Sequence, residues 1–383
     1  MKISDEQIIY FDNNSTTKTD DRVIDVMVPI MKEFYANPSS SHSFGKNVKK
    51  LIVEARDHVS NLINCKPEEI IFTSGSTESI NLAIRGLAAS NSKKRIVTIS
   101  TEHKAVLDTC QKLESQGFEI IYLPVKKDAT IDIDVFSSAI DNNTMLVIAM
   151  HVNNETGVIH DIQKLTEIAH SKGVLFFCDA TQSFGKIPIE IVKLDVDLLC
   201  FSGHKFHGPK GVGGLFLKKE LKRKIEPQLT GGSQEYGIRS GTLNSAGIIG
   251  LGEACRISSF DMSKIESNVR VLRDYLESEL LKIPGTFVNG NSINRIYNTT
   301  NICFPKNDAN VIIGRLKNIA ISNGSACTSS IVETSHVLSA MGLENDLALA
   351  SLRFSLSKYN NMDEVKKVVE EIKNLLIPNL VAN

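Results

Sequence analysis

Asp197-Leu198-Leu199-Cys200-Phe201-Ser202-Gly203-His204-Lys205 is an apolar run that ends on a polar tetrapeptide, and His207-Gly208-Pro209-Lys210-Gly211 follows it. The apolar part reads as the end of a buried strand, and the glycines and proline behind it force a turn. A lysine held at such a strand end is partly desolvated, and desolvation lowers a lysine pKa. A lysine that spends time neutral can form a Schiff base with a carbonyl compound. Most lysines after strands are solvated surface charges. Lys205 gains weight from Asp179, which ends the preceding apolar run.

Working outward, short β-type runs at 70–72, 95–99, 120–123, 145–150, 174–178 and 198–201 alternate with helical patterns, among them 79–89, 103–115 and 162–172. Such alternation predicts an α/β fold: a mostly parallel sheet with helices on both faces. Beyond Gly252 the texture changes to a long charged helix at about 263–282, irregular strands, a loop of small residues and a final helix near 362–376. The expected organisation is a large domain over 15–252, and a smaller α+β domain built from 1–14 and 253–383.

With 383 residues, 42% of them hydrophobic, the chain can bury a large core and exceeds the size at which single cores stop growing. A formal net charge of -1 gives no general pull toward nucleic acid or anionic membrane, so neither is expected as a partner. Lys218, Lys219, Lys222, Arg223 and Lys224 form a basic cluster that reads as a solvated helix face. No apolar run approaches the ~20 residues that cross a bilayer. The N-terminal stretch, with Asp5 and Glu6, lacks the shape of a signal peptide, so a cytoplasmic location is the expectation. The seven cysteines are scattered, without Cys-x-x-Cys, which argues against a disulfide framework or structural zinc. Cys178 and Cys200 lie in apolar runs. Cys327, within Ser322-Asn323-Gly324-Ser325-Ala326-Cys327-Thr328-Ser329-Ser330, reads as a thiol in an exposed loop, either a nucleophile or an idle surface cysteine.

Ligands of parallel sheets collect beyond the carboxyl ends of the strands. Thr73-Ser74-Gly75-Ser76-Thr77-Glu78 follows one run and reads either as an anion cradle at a helix start or as an ordinary cap. His103, Asn153-Asn154, Asp179-Ala180-Thr181-Gln182 and Ser202 to Lys205 follow others. One cofactor uses them all. A pyridine aldehyde with a phosphate arm needs a lysine, a carboxylate on its ring nitrogen, an anion site and a flat group against its ring. Lys205, Asp179, Ser76 with Thr77, and His103 supply these, and Gln182 can reach the ring oxygen. A metal pair at His204 and His207 lacks both helical spacing and a third ligand, and no Gly-x-Gly-x-x-Gly or P-loop motif occurs.

The chain resembles the cysteine desulfurases, NifS/IscS-like pyridoxal-phosphate enzymes of the aminotransferase class V group, over nearly its whole length. The likeness rests on Asp12-Asn13-Asn14-Ser15-Thr16-Thr17, Asn37-Pro38-Ser39, Thr73 to Ser79, Thr101-Glu102-His103-Lys104-Ala105-Val106, His151-Val152-Asn153-Asn154-Glu155, Asp179 to Gln182, Ser202 to Lys205, Arg239-Ser240-Gly241-Thr242, Gly324 to Ser329 and Arg353-Phe354-Ser355. Gly-Ser-Ala-Cys-Thr-Ser is similar to the subgroup with the longer cysteine loop. The resemblance implies the type I pyridoxal-phosphate fold and a homodimer. It implies Lys205 as the cofactor lysine and proton carrier, Asp179 on the ring nitrogen, Gln182 on the ring oxygen and His103 on the ring face. Ser76, Thr77, Ser202 and His204 would bind phosphate, with Thr242 reaching in from a partner subunit. Asn154, Arg353 and Asn301 would hold the substrate. L-cysteine would give L-alanine and a persulfide on Cys327. The acceptor stays open between an iron–sulfur scaffold, a tRNA-thiolation factor and a specialised sulfur pathway such as DNA phosphorothioation. The chain stops at Asn383, soon after its last helix, where scaffold-serving relatives often carry a docking extension. Another class V aminotransferase, a selenocysteine lyase of the same fold and a non-catalytic sulfur carrier are the rival readings.

Overall fold

The computed structural model describes residues 8–324 and 334–381, so Cys327 lies outside the described residues. The strands are β1 (Ile9–Tyr10), β2 (Ile70–Thr73), β3 (Arg95–Ile99), β4 (Glu119–Leu123), β5 (Thr144–Met150), β6 (Leu175–Asp179), β7 (Leu198–Ser202), β8 (Gly213–Leu217), β9 (Phe287–Val288), β10 (Thr299–Cys303), β11 (Ile319–Ala320) and β12 (Ser351–Ser355). Seven form one sheet in the order β2-β8-β7-β6-β5-β3-β4. Its strands pair in parallel except at β8, which is antiparallel to both neighbours.

Successive side chains of a strand face opposite ways, and both faces of this sheet are covered. Val147, Ala149, Phe176, Cys178, Leu199 and Phe201 enter one core. Leu146, Ile148, Phe177, Leu198 and Cys200 enter another. On the first face lies the helix Ser43–Ile63, which buries Val48, Ile52, Ala55, Val59 and Ile63 at helical spacing. On the second lies the helix Ser76–Ala89 with Ile80, Leu82, Ala83, Ile84 and Leu87.

A third core gathers Ile9 and Phe11 with Val269, Leu276, Ile302, Leu352, Phe354 and the helix Met362–Val381 through Val365, Val368 and Ile372. Here β10 pairs antiparallel with β9 and β12, while β1 pairs in parallel with β11. One 36-residue helix, Ser245–Leu280, spans the two regions. Its first half buries Ile248, Leu251, Cys255 and Ile257 against the large sheet's core, and its second half gives Val269, Leu276 and Leu280 to the small one. Residues 252 and 253 both lie inside this helix, and Ile257 still packs in the core of the large sheet.

The basic cluster is not a helix face. Lys219–Leu221 is a single 3-10 turn. Lys218 pairs with Asp195 and Asp197, and Lys222 lies 3.7 Å from the Tyr236 ring centroid. Acidic and aromatic neighbours brought from distant sequence take up Lys218 and Lys222, while Lys219, Arg223 and Lys224 stay exposed. Among the described residues no helix is long and apolar enough to cross a membrane.

Candidate active site

A cavity of about 1030 Å³ opens at the carboxyl ends of the parallel strands. Its walls hold Ser76, Thr77, His103, Asn154, Asp179, Gln182, Ser202, His204, Lys205 and Arg353, so ten residues singled out by sequence meet in one place. Asn301 does not line it. That side chain is buried in β10, level with Arg353 of β12, and its amide donates to the Glu155 carbonyl at 3.3 Å. It braces the wall rather than facing the cavity. Thr242 is exposed and does not line the cavity either.

Lys205 follows β7 in a 3-10 turn, Gly203–Lys205. Its Nζ donates to the carbonyls of Asn14 (2.7 Å) and Ser15 (2.9 Å). Burial, helped by the charge of Arg353, lowers its pKa to about 8 against the opposing pull of Asp179. The segment that receives it is tied down on both sides. Thr17 donates its N–H and its hydroxyl to the His204 carbonyl, and the Asn14 amide donates to the Asn154 carbonyl and to Thr299.

Asp179 ends β6 and is 4% exposed. Its Oδ1 accepts from the Thr181 N–H (2.9 Å), the Thr181 hydroxyl and the Cys200 thiol (3.4 Å). Oδ2 takes no such bond from the described residues, which leaves it for a donor in the cavity. The Gln182 Nε2 donates to the Asn14 carbonyl, and its Oε1 accepts from Lys186. His103 caps the helix Lys104–Glu114, its Nδ1 accepting the Ala105 N–H at 3.1 Å. Crowding by the surrounding protein holds that imidazole below its usual range, against the pull of Asp179.

The anion cradle is built from backbone as much as from side chains. Gly75, at φ +150°, precedes the helix Ser76–Ala89 and caps it with no side chain, and a Cβ there would sit 3.3 Å from the Ser202 hydroxyl. The opening turn of the helix therefore faces the cavity bare, with a positive dipole end. The Ser76 hydroxyl lies 2.6 Å from that of Thr181, whose proton goes to Asp179, so Ser76 is the donor of this pair. The Glu78 carboxylate accepts from the Ser74 N–H (2.8 Å) and from Arg239 (2.8 Å), which ties it to the loop. His204 bonds Thr16 through Nδ1 at 3.1 Å, and burial drops its pKa to about 4, so it is neutral near pH 7.

Arg353 spends its fork on the chain itself: Nη1 donates to the Asn154 carbonyl (3.1 Å), and Nη2 to Asp12 (2.6 Å) and Ser15 (2.7 Å). Asp12, Asn14 and Ser15 received no individual role from sequence. Their partners lie some 190 and 340 positions away, a distance no local pattern reports. Glu155 was also passed over. Its Oε2 accepts from the Ser335 hydroxyl, and a Cβ on Gly324 (φ +82°) would collide with that oxygen. The carboxyl thus sits between Gly324 and Ser335, which lie on either side of residues 325–333.

Burial pushes the Glu155 carboxyl from 4.5 up to about 7, partly offset by Ser335 and Arg353. The folded state holds that proton more tightly than the unfolded chain does. The group's stabilising contribution is therefore complete below about pH 4.5 and lost as pH rises through about 7, a change of roughly 3 kcal/mol. Glu155→Gln is expected to raise the Tm at pH 8 and to do so much less at pH 5. Equal gains at both pH values would contradict the shift.

A lysine and a buried carboxylate facing one cavity at the carboxyl edge of a mostly parallel sheet define a carbonyl-cofactor site. The chain belongs to the aminotransferase class-V family, whose signature matches residues 9–368, and its fold is the type I fold of pyridoxal-phosphate enzymes. It is 43% identical over 375 residues to a cysteine desulfurase IscS of Ehrlichia chaffeensis, covering 96% of this chain and 92% of that protein. A solved NifS-like protein superposes with a TM-score of 0.91 at 36% identity, covering 97% of this chain and 99% of the other. A structure described as SspA in complex with cysteine superposes at 0.82 with 34% identity, covering 92% and 100%.

Proposed function

We propose that this cavity holds pyridoxal 5'-phosphate and converts L-cysteine to L-alanine, leaving the sulfur as a persulfide on Cys327. The observation that carries the reading is Lys205, an amine lowered to about 8 that shares a cavity with the open carboxylate oxygen of Asp179. The residues present fit the cofactor. The bare helix turn at Gly75, Ser76 and Thr77, with Ser202 and neutral His204 as hydrogen-bonding neighbours, suits its phosphate. Asp179 suits its ring nitrogen, Gln182 its ring oxygen and His103 its ring face. When bound, the cofactor supplies a carbonyl that condenses with an amine and a ring that takes up electrons from the substrate's α-carbon.

The chain's residues do the rest. Lys205, close to half-neutral near pH 8, can take a proton at the substrate α-carbon and return one to carbon. Arg353 offers a planar fork to the substrate carboxylate, which must displace or share Asp12 and Ser15. Asn154 lies beside it. The Cys327 thiolate attacks the substrate sulfur. An S–S bond forms as the C–S bond breaks, the electron pair stays with carbon, and protonation there yields alanine.

Finer parts of the reading follow. The large sheet with its two cores is the cofactor domain, and the third core belongs to a small domain that includes the cysteine segment. The enzyme is a homodimer in which Thr242, exposed in the single chain, meets the partner's cavity. The persulfide passes to an acceptor protein: an iron–sulfur scaffold, a thiolation factor or a specialised sulfur carrier. The setting is the cytoplasm, in keeping with six free thiols among the described residues.

Incubating the purified protein with L-cysteine and a thiol reductant, and measuring alanine and sulfide together, tests the core of this proposal. Equal yields are expected. Conversion of cysteine to its keto acid, with neither alanine nor sulfide, would instead indicate transamination chemistry.

A further inference from the structure

We propose that Lys186 is a positioning residue for the cofactor: its amine anchors the Gln182 amide oxygen and, with the Asn14 carbonyl, holds the amide NH₂ toward the cavity. The inference rests on the reading of the cavity as a pyridoxal-phosphate site and adds a residue that this reading does not use. Lys186 lies four residues beyond Gln182, in the turn that follows β6, and is 6% exposed. Its Nζ donates to Gln182 Oε1 at 2.8 Å, and Gln182 Nε2 donates to the Asn14 carbonyl at 2.9 Å. That same carbonyl receives the Lys205 amine at 2.7 Å. A continuous chain of polar contacts therefore runs from Lys186 through Gln182 and Asn14 to Lys205.

Among the described residues no carboxylate pairs with Lys186. The charged and titratable groups around it are Lys205, Arg353, His204 and His207. Asp20 and Lys358 line the small cavity that Lys186 shares with Lys205. Asp20, the lone acid there, is taken by Arg22 and Lys358. Burial and these cations bring the Lys186 amine down to about 7. An amine so placed adds little to stability, since burying it without a counter-charge is costly. What it does add is direction. A glutamine amide has two ends of nearly equal size, one that donates and one that accepts. The Asn14 carbonyl can only accept and the charged Lys186 amine can only donate, so between them the amide oxygen is held on Nζ and the NH₂ on Asn14 and the cavity side. Without it the amide oxygen loses its partner and the Asn14 carbonyl alone holds the NH₂, so the amide is less firmly turned toward the ring oxygen expected beside Gln182.

The test is a double-mutant cycle on the holoenzyme with Lys186→Met, Gln182→Ala and the double variant, reading pyridoxal phosphate dissociation, the absorption maximum of the bound cofactor and Tm. Met fills a similar volume without a buried amine, so the Tm should hold or rise. Lys186→Met is expected to weaken cofactor binding about fivefold, the worth of one hydrogen bond, and to move the absorption maximum as Gln182→Ala does. The double variant should lose no more than Gln182→Ala alone. Additive losses, an unchanged affinity and spectrum, or a collapsed Tm would each overturn the proposal. In cofactor-free protein the Gln182 side-chain NH₂ resonance should shift in Lys186→Met, and an unmoved resonance overturns the proposal as well. Natural protein that binds no pyridoxal phosphate would sink the reading of the site, and that resonance would still judge Lys186.

Discussion

Lys205→Ala is expected to lower alanine formation from L-cysteine by about 10⁴-fold or more, the combined loss of a nucleophile and a proton carrier. Lys205→Arg is expected to fall nearly as far. The structure supplies the reason for both. Lys205 has backbone carbonyls, not a carboxylate, as its hydrogen-bond partners, and burial has brought it to about 8. A useful fraction is therefore neutral near pH 8 and available to attack a carbonyl or take a proton. A guanidinium keeps the positive charge but stays protonated at every accessible pH, so it can do neither. Pyridoxal phosphate should still bind both variants through the cradle and Asp179, with loosened hold. Single-turnover alanine measurements beside a cofactor-binding assay separate the two effects. An arginine variant that kept more than about 1% of the rate would mean that the proton moves elsewhere.

What the sequence made legible was the set of strand ends, because parallel strands carry a local apolar signature and their ligands gather at one edge. The runs at 70–72, 95–99, 145–150, 174–178 and 198–201 all became strands of one sheet, and the residues after them met in one cavity. β8 escaped because it opens on Gly213-Gly214, which strand propensity penalises. The burial of the Asn301 side chain in β10 escaped for a different reason. A residue level with Arg353 on a neighbouring strand still depends on local geometry to decide whether it faces the cavity or stands behind its wall. Hardest of all to read were contacts made across the chain, such as Asn14 and Ser15 on Lys205, Asp12 on Arg353 and Glu155 on Ser335. Each is an ordinary polar residue until the fold delivers its partner.

Cys327→Ser should leave the cofactor spectrum intact and remove sulfide and persulfide formation, a loss of at least about 10³-fold given how weakly a hydroxyl attacks divalent sulfur. A thiolate is the nucleophile in sulfur transfer, so the responsible cysteine needs a thiol that ionises near neutral pH. Burial pushes Cys65 and Cys110 up to about 12 and Cys303 to about 11, and raises Cys178, Cys200 and Cys255 far above the usual thiol range. None of the six described cysteines qualifies, and the seventh is Cys327. Gly324, three positions before Cys327 in the sequence, lines the cavity. Mass spectrometry of protein treated with L-cysteine and then alkylated should find the added sulfur on the peptide that contains Cys327. Sulfur on Cys65, the one described cysteine that is not fully buried, or full sulfide release by the serine variant, would reassign the nucleophile.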